Sequence, residues 1–399
     1  MRERIAFVCQ RYGEDVNGGA EAYCRQIAEK LTAFYDVDVY TTCARDYMIW
    51  ENVYPEGMQE DNGVHVLRFP VERPRRKWVK KGLSVWMRLV PFHSDRSEEA
   101  WLRAQGPVCE KALNTLWNSQ DQYVSIFFMT YLYYLTAFGI PRGFRRAVLI
   151  PTIHDEKPAR LRWFHRVFSA CSGIVWNSPE ERDFAHRVFP ESVGKPSILA
   201  GIGVECPRNL PERHVLPEKD CPYVVYVGRI DPEKGCREML DAFVRFAREN
   251  PHQLRLVLVG RSVMTVPDHP DILQMGFLEE REKWQIMRDA RGLVLFSRNE
   301  SLSMVALESM CLGRPILVSA ESSVLRGHVV RSRAGIVFRD QASFEKGLLF
   351  LTKDSESYVN MGENGKRYIQ ENYSWQMITG RYVSLIEQMK SLPEESGRA

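Results

Sequence analysis

Two periodicities alternate along the 399 residues. Short runs of contiguous apolar residues mark buried strands, and longer stretches with apolar residues recurring on one face mark helices. Residues 4–10 read as a strand, followed by the glycine pair Gly18-Gly19 and a helix over 20–34 whose Ala22, Ile27, Ala28 and Leu31 share a face. Strands follow at 37–42, 64–69, 148–153, 173–177 and 197–200, with helical stretches such as 179–189 between them. A second series begins at 223–228 and continues with a helix at 236–249, strands at 254–260, 293–297 and 315–319, a helix at 301–311 and a last helix at 375–389. Strands alternating with helices predict parallel sheets covered on both faces.

The uncharged stretch 122–141 is the one place where a membrane span competes. A spanning helix needs roughly 20 mainly apolar residues. Here Ser125, Thr130, Thr136 and Gly139 interrupt the run and tyrosines crowd it, so it reads as a buried strand and the start of a helix.

A chain of this length exceeds what one hydrophobic core supports. The proline-rich, polar segment 206–222 breaks the periodicity and serves as a linker between two units, 1–205 and 223–374, with 375–399 as a final helix and tail. The expected fold class is α/β, with two Rossmann-like, doubly wound parallel-sheet domains facing a cleft. Ligands of such sheets bind at the carboxyl ends of the strands.

Composition narrows the function classes. A net charge of +3 with 26% charged residues gives no global reason to expect a nucleic-acid partner. Nine cysteines without a Cys-x-x-Cys read as reduced thiols and a cytoplasmic location, and the start at Met1 is too weakly apolar for a signal peptide. No His/Cys cluster has zinc spacing, and Asp36-Val37-Asp38 lies at the start of a strand, the wrong end for a metal site. No metal and no cofactor is expected.

The chemistry concentrates in the second unit. A strand ends at Gly228; Arg229 follows, then Lys234-Gly235 and a helix. Two cations and a helix N-terminus at a strand's carboxyl end attract phosphate. Neither a P-loop nor a dinucleotide fingerprint is present, and a plain loop with two solvated cations would look the same. Further on, Glu300 ends a strand and Glu308 lies inside the following helix, about two turns in. An acid among Met304, Val305, Ala306, Leu307 and Met310 is costly unless partnered. Ribose hydroxyls would serve, and so would an internal salt bridge.

Gly228-Arg229 through Lys234-Gly235, then Glu300 and Glu308 separated by seven residues, resembles the family-four (group 1) retaining glycosyltransferases of the two-domain GT-B fold. Gly18-Gly19-Ala20-Glu21 is similar to that family's N-terminal glycine loop, and Tyr373-Ser374-Trp375 to the start of its final helix, which crosses back to the N-terminal domain. The resemblance implies an acceptor-side first domain and a nucleotide-sugar-binding second domain. Arg229 and Lys234 would hold the donor diphosphate, Glu308 the nucleotide ribose, and Glu300 would face the donor sugar. Gly18, Gly19, Gly228, Ser301, Leu302, Ser303, Met304 and Val305 would complete the donor site. His154, in Thr152-Ile153-His154-Asp155, falls where the family carries a histidine beside the donor sugar. His154, Glu300, Arg229 and Lys234 are thus the expected catalytic set.

Departures are Ser301-Leu302-Ser303 where Pro-Phe-Gly is frequent, Ile202-Gly203-Val204-Glu205 for Asn-Gly-Val-Asp, and Arg261-Ser262 after Gly260. The implied activity is metal-independent transfer of a hexose-type sugar, with retention, from a UDP- or GDP-linked donor to a glycan, lipid-linked or small-molecule acceptor. A sugar-nucleotide epimerase or a non-catalytic sugar-nucleotide-binding protein on the same fold would share these residues. The stretch 73–88 mixes lysine and arginine with Trp78, Val85 and Trp86 and suits an anionic membrane surface or a solvated loop. A peripheral position at the inner membrane face is the corresponding expectation.

Overall fold

The computed structural model describes residues 2–16, 18–76, 78, 81–82, 85, 94–207, 209–211, 216 and 221–391. About half of 73–88 and of the expected linker 206–222 therefore lies outside the described residues. The chain divides into two compact units, Met1–Ile202 with Ile378–Ala399, and Gly203–Met377.

The first unit holds β1 (Arg4–Val8), β2 (Asp36–Thr42), β3 (Gly57–Asp61), β4 (Val64–Phe69), β5 (Tyr123–Met129), β6 (Ala147–Ile150), β7 (Gly173–Trp176) and β8 (Ser197–Leu199) in one sheet of order β3-β4-β2-β1-β5-β6-β7-β8. Every pairing is parallel except β3 against β4. Central strands carry side chains buried on both faces, as a sheet covered by helices requires. Phe7 and Phe127 stack across neighbouring strands at 4.9 Å between centroids. Burying a phenylalanine contributes about 1.5–3 kcal/mol, so such pairs fix the register of β1 against β5. The tyrosine-rich run becomes β5 and the helix Tyr134–Gly139, and no helix among the described residues is long and apolar enough to cross a membrane. Asp38, buried at the amino end of the sheet, accepts from Arg4 at 2.7 Å and from the Tyr123 hydroxyl at 2.6 Å, and contacts His65 Nδ1 at 3.0 Å. Its carboxylate is engaged in tying β1, β4 and β5 together.

The second unit is a six-stranded, all-parallel sheet of order β11-β10-β9-β12-β13-β14. Its strands are β9 (Tyr223–Val227), β10 (Arg255–Val259), β11 (Ile272–Gly276), β12 (Leu293–Leu295), β13 (Ile316–Ser319) and β14 (Gly335–Phe338). Three strands were not expected. Edge strand β3 is exposed along nearly its whole length, β11 at the other sheet's edge is buried only at Ile272, and β14 is four residues long with a glycine in its first position. Their weak apolar runs give no strand signal; pairing with a neighbour makes them strands.

Two local expectations need correcting. The helix expected over 301–311 begins at Met304, because Ser303 takes a left-handed φ of 67° that a helix cannot contain. Glu308 consequently sits one turn, not two, from the N-terminus. The cysteines are not all thiols: Cys206 and Cys311 form a disulfide, with Cα atoms 6.0 Å apart, across a separation of 105 residues that carries no spacing signature. The remaining seven are thiols, and all but Cys221 are buried.

Candidate functional site

Strand β9 runs out at Gly228, whose N–H donates to Val259 O. Arg229 then begins a short loop in which the Tyr226 hydroxyl donates to Arg229 O at 2.8 Å. The Asp231 carboxylate caps the turn by accepting from Glu233 N, and it takes Arg229 Nε at 2.8 Å. Gly235 closes the turn with a φ of 72°, and a Cβ there would lie 2.5 Å from Phe296 O. Only glycine fits this left-handed position against a neighbouring backbone. The helix Cys236–Glu249 starts immediately, with no side-chain cap on its first amides. A helix N-terminus thus opens at the carboxyl end of β9.

Strand β12, paired with β9, supplies the second half. Lys234 Nζ and Glu300 Oε1 are 2.9 Å apart, so the residues expected at the donor diphosphate and at the donor sugar meet directly. The backbone from Glu300 to Ser303 forms a loop leading into the helix Met304–Cys311, with Met304 and Val305 half-buried and Leu302 and Ser303 buried. Leu302 O accepts from His328 Nε2 at 2.8 Å, and His328 Nδ1 contacts the Tyr368 hydroxyl at 3.2 Å. Burial pushes His328 down to about 4, so it is neutral at pH 7 and donates through Nε2. The loop's conformation is therefore set from behind by a buried histidine.

Glu308 is buried and has an internal partner. Lys283, on the helix Glu280–Asp289, places Nζ 3.0 Å from Glu308 Oε1 and 2.7 Å from Glu280 Oε1. Burial raises the Glu308 carboxyl above its ordinary value while Lys283 draws it down. Burial works against the Lys283 ammonium, and Glu308 and Glu280 outweigh that and raise it. Of the two fates open to Glu308 in the sequence, the salt bridge is present. Sequence reading missed Lys283, Tyr226 and His328. The first is an i+3 neighbour of Glu280 on a polar helix; the others look like core residues.

The first unit carries the remaining expected residues. Gly18 precedes the helix Gly19–Leu31, and a Cβ on it would lie 2.0 Å from Glu21 Oε2. Glu21 is itself fixed by Arg11 at 2.6 Å and Gln10 at 2.8 Å. A Cβ on Gly19 meets nothing within 4 Å, so its backbone faces open space. His154 follows β6; its Nε2 is 3.8 Å from Glu156 Oε1, and its buried Nδ1 has no hydrogen-bond partner among the described residues. The loop beneath it is held by Glu181, which accepts from Ile153 N at 2.7 Å and from Asn177 N at 2.5 Å. Burial pushes Glu181 up to about 8.

Residues 209–368 match the family described as Glycosyl transferases group 1. An uncharacterised glycosyltransferase of Methanocaldococcus jannaschii is 22% identical over 241 residues, 56% of this chain and 60% of the relative. The aligned stretch thus spans somewhat less than two thirds of that protein. Among solved structures, sucrose-phosphate synthase of Thermosynechococcus elongatus superposes with a TM-score of 0.68 at 18% identity, covering 97% of this chain and 99% of that one. HepE of Anabaena, in complex with UDP and glucose, gives a TM-score of 0.65 at 15% identity over 97% of this chain and 100% of its own. The fold is GT-B, and residues 209–368 are a group 1 glycosyltransferase domain, as the sequence resemblance implied.

Proposed function

We propose that the chain is a glycosyltransferase that moves a hexose-type sugar from a nucleotide-diphosphate sugar to a glycan, lipid-linked or small-molecule acceptor, with retention and without a metal. One observation carries it. At the carboxyl ends of paired strands β9 and β12, Lys234 and Glu300 close on each other between two loops that each lead into a helix N-terminus.

The reaction needs charge stabilisation where the diphosphate departs, and fixed cations and helix N-termini supply it without a metal. Lys234 exchanges Glu300 for the diphosphate, and the freed Glu300 carboxylate accepts hydroxyls of the sugar. Arg229, held by Asp231, adds a second cation. Within the first unit, Gly19 leaves room for a ligand close to its backbone, and the partly exposed His154 ring is read as the group that meets a sugar hydroxyl. The bond from the anomeric carbon to the phosphate oxygen breaks, the acceptor oxygen takes the sugar on the same face, and its proton passes to the departing phosphate. UDP is the first donor nucleotide to test, since HepE is described with UDP and glucose.

A thermal-shift screen of UDP-, GDP-, ADP- and CMP-sugars tests the reading, because a ligand of the native state raises its melting temperature. Stabilisation by one nucleotide class, followed by transfer with retained anomeric configuration in the product NMR spectrum, is expected. An altered sugar nucleotide formed without acceptor would mark an epimerase, and binding without turnover a silent binding protein. For a lipid-linked acceptor, salt-sensitive flotation with anionic vesicles tests the role of 73–88.

A further inference from the structure

Lys283 stands outside the loops read as the phosphate site, on the helix Glu280–Asp289, and it is the partner of Glu308. A lysine is costly to bury unless acids compensate it. Here two acids face one ammonium, Glu280 at 2.7 Å and Glu308 at 3.0 Å. Glu280 is mostly exposed and also accepts from Trp284 Nε1 at 2.8 Å, so it is held on its own helix. Glu308 lies on the other helix and is fixed only through Oε1; no hydrogen bond to Oε2 is present among the described residues. With all three ionised, the cluster keeps one negative charge and spare acceptor capacity. That disfavours a phosphate and favours a neutral group carrying O–H donors. A vicinal diol matches it.

We propose that Lys283 is a positioning residue: it keeps the Glu308 carboxylate ionised and oriented, and thereby makes the donor site select a ribonucleotide over its 2′-deoxy counterpart. This rests on the reading of Glu308 as the acceptor of the ribose hydroxyls. Without Lys283 the buried carboxyl has lost the one group that opposes the effect of burial, and it takes up a proton or turns away. The protonated acid accepts fewer hydrogen bonds, so the 2′-hydroxyl contributes less. A hydrogen bond to a charged group corresponds to roughly tenfold in affinity or somewhat more.

Calorimetric titration of the full chain with UDP, 2′-deoxy-UDP, GDP and 2′-deoxy-GDP provides the test. In the unaltered chain the better-bound ribonucleotide is expected to exceed its deoxy form roughly tenfold. Lys283→Met and Glu308→Gln should each bring that ratio close to one, and Lys283→Arg should restore most of it. A merely structural lysine would lower affinity for both forms alike and leave the ratio standing. If Lys283→Met keeps the ratio while Glu308→Gln loses it, the inference is wrong and the donor-site reading survives. If Glu308→Gln keeps it too, or the unaltered chain shows no preference, Glu308 does not read ribose and both fall. Should Lys283→Met fail to fold, Lys283→Gln, a shorter and uncharged polar side chain, carries the same comparison.

Discussion

The Lys234–Glu300 and Lys283–Glu308 contacts are chemically the same, an ammonium against a carboxylate at 2.9 and 3.0 Å, and both flank the helix Met304–Cys311. Their surroundings separate them. Lys234 is 37% exposed at the mouth of the loop against 15% for Glu300, whereas the Lys283 and Glu308 side chains are 15% and 12% exposed. A pair whose cation reaches solvent is better screened, contributes about 0–1 kcal/mol and exchanges partners more readily. A buried one is held because breaking it strands a charge. The outer pair is suited to being displaced by a ligand at each turnover. The inner pair is suited to holding one carboxylate still.

Substitutions can separate the two. Lys234→Ala should reduce kcat/KM by roughly 100-fold or more, lowering donor affinity and turnover together, while the unfolding free energy from urea titration stays within about 1 kcal/mol of the unaltered chain. A large loss of stability with little change in kinetics would mean that the outer pair is structural after all. Glu308→Ala should do the reverse in folding terms, with a destabilisation of about 2–3 kcal/mol in urea, since Glu280 remains for Lys283. Equal stability in the two alanine variants would erase the distinction.

His328, behind the loop, gives a pH signature. Its folded value of about 4 is depressed below the ordinary histidine value, so its stabilisation is present above pH 6.5 and is lost as pH falls toward 4. Between pH 7 and 5 the loss should be about 1–2 kcal/mol, visible in denaturation midpoints and absent in His328→Gln. A variant with the same slope as the parent would locate the titration elsewhere. The smallest effect is expected from His154→Ala: roughly tenfold in kcat, with donor KM nearly unchanged. Initial-rate kinetics that show KM rising instead would make His154 a binding group.

Much of this was legible in the chain, for identifiable reasons. Strands buried on both faces, such as 123–129, announce themselves as apolar runs, and the order of strands and helices follows from them. Lys234 and Glu300 stood out only through the family resemblance, since the loop by itself reads equally well as two solvated cations after a strand. Lys283 was hidden because a lysine on a charged helix normally points to water, and only the fold turns it against residue 308. His328 was hidden among apolar neighbours, since nothing local tells a buried histidine that meets a carbonyl from one that merely fills space. The late start of the helix, at Met304, depends on one left-handed serine, a conformation that residue type does not announce.

The disulfide from Cys206 to Cys311 has a practical consequence for anyone cutting the chain. Protease nicking anywhere between residues 207 and 221 would leave the two fragments covalently joined. They would migrate as one band on a non-reducing gel and as two after thiol treatment. A nick that released separate fragments without reductant would show that these two sulfurs are not bonded in the sample, a check that needs neither substrate nor assay.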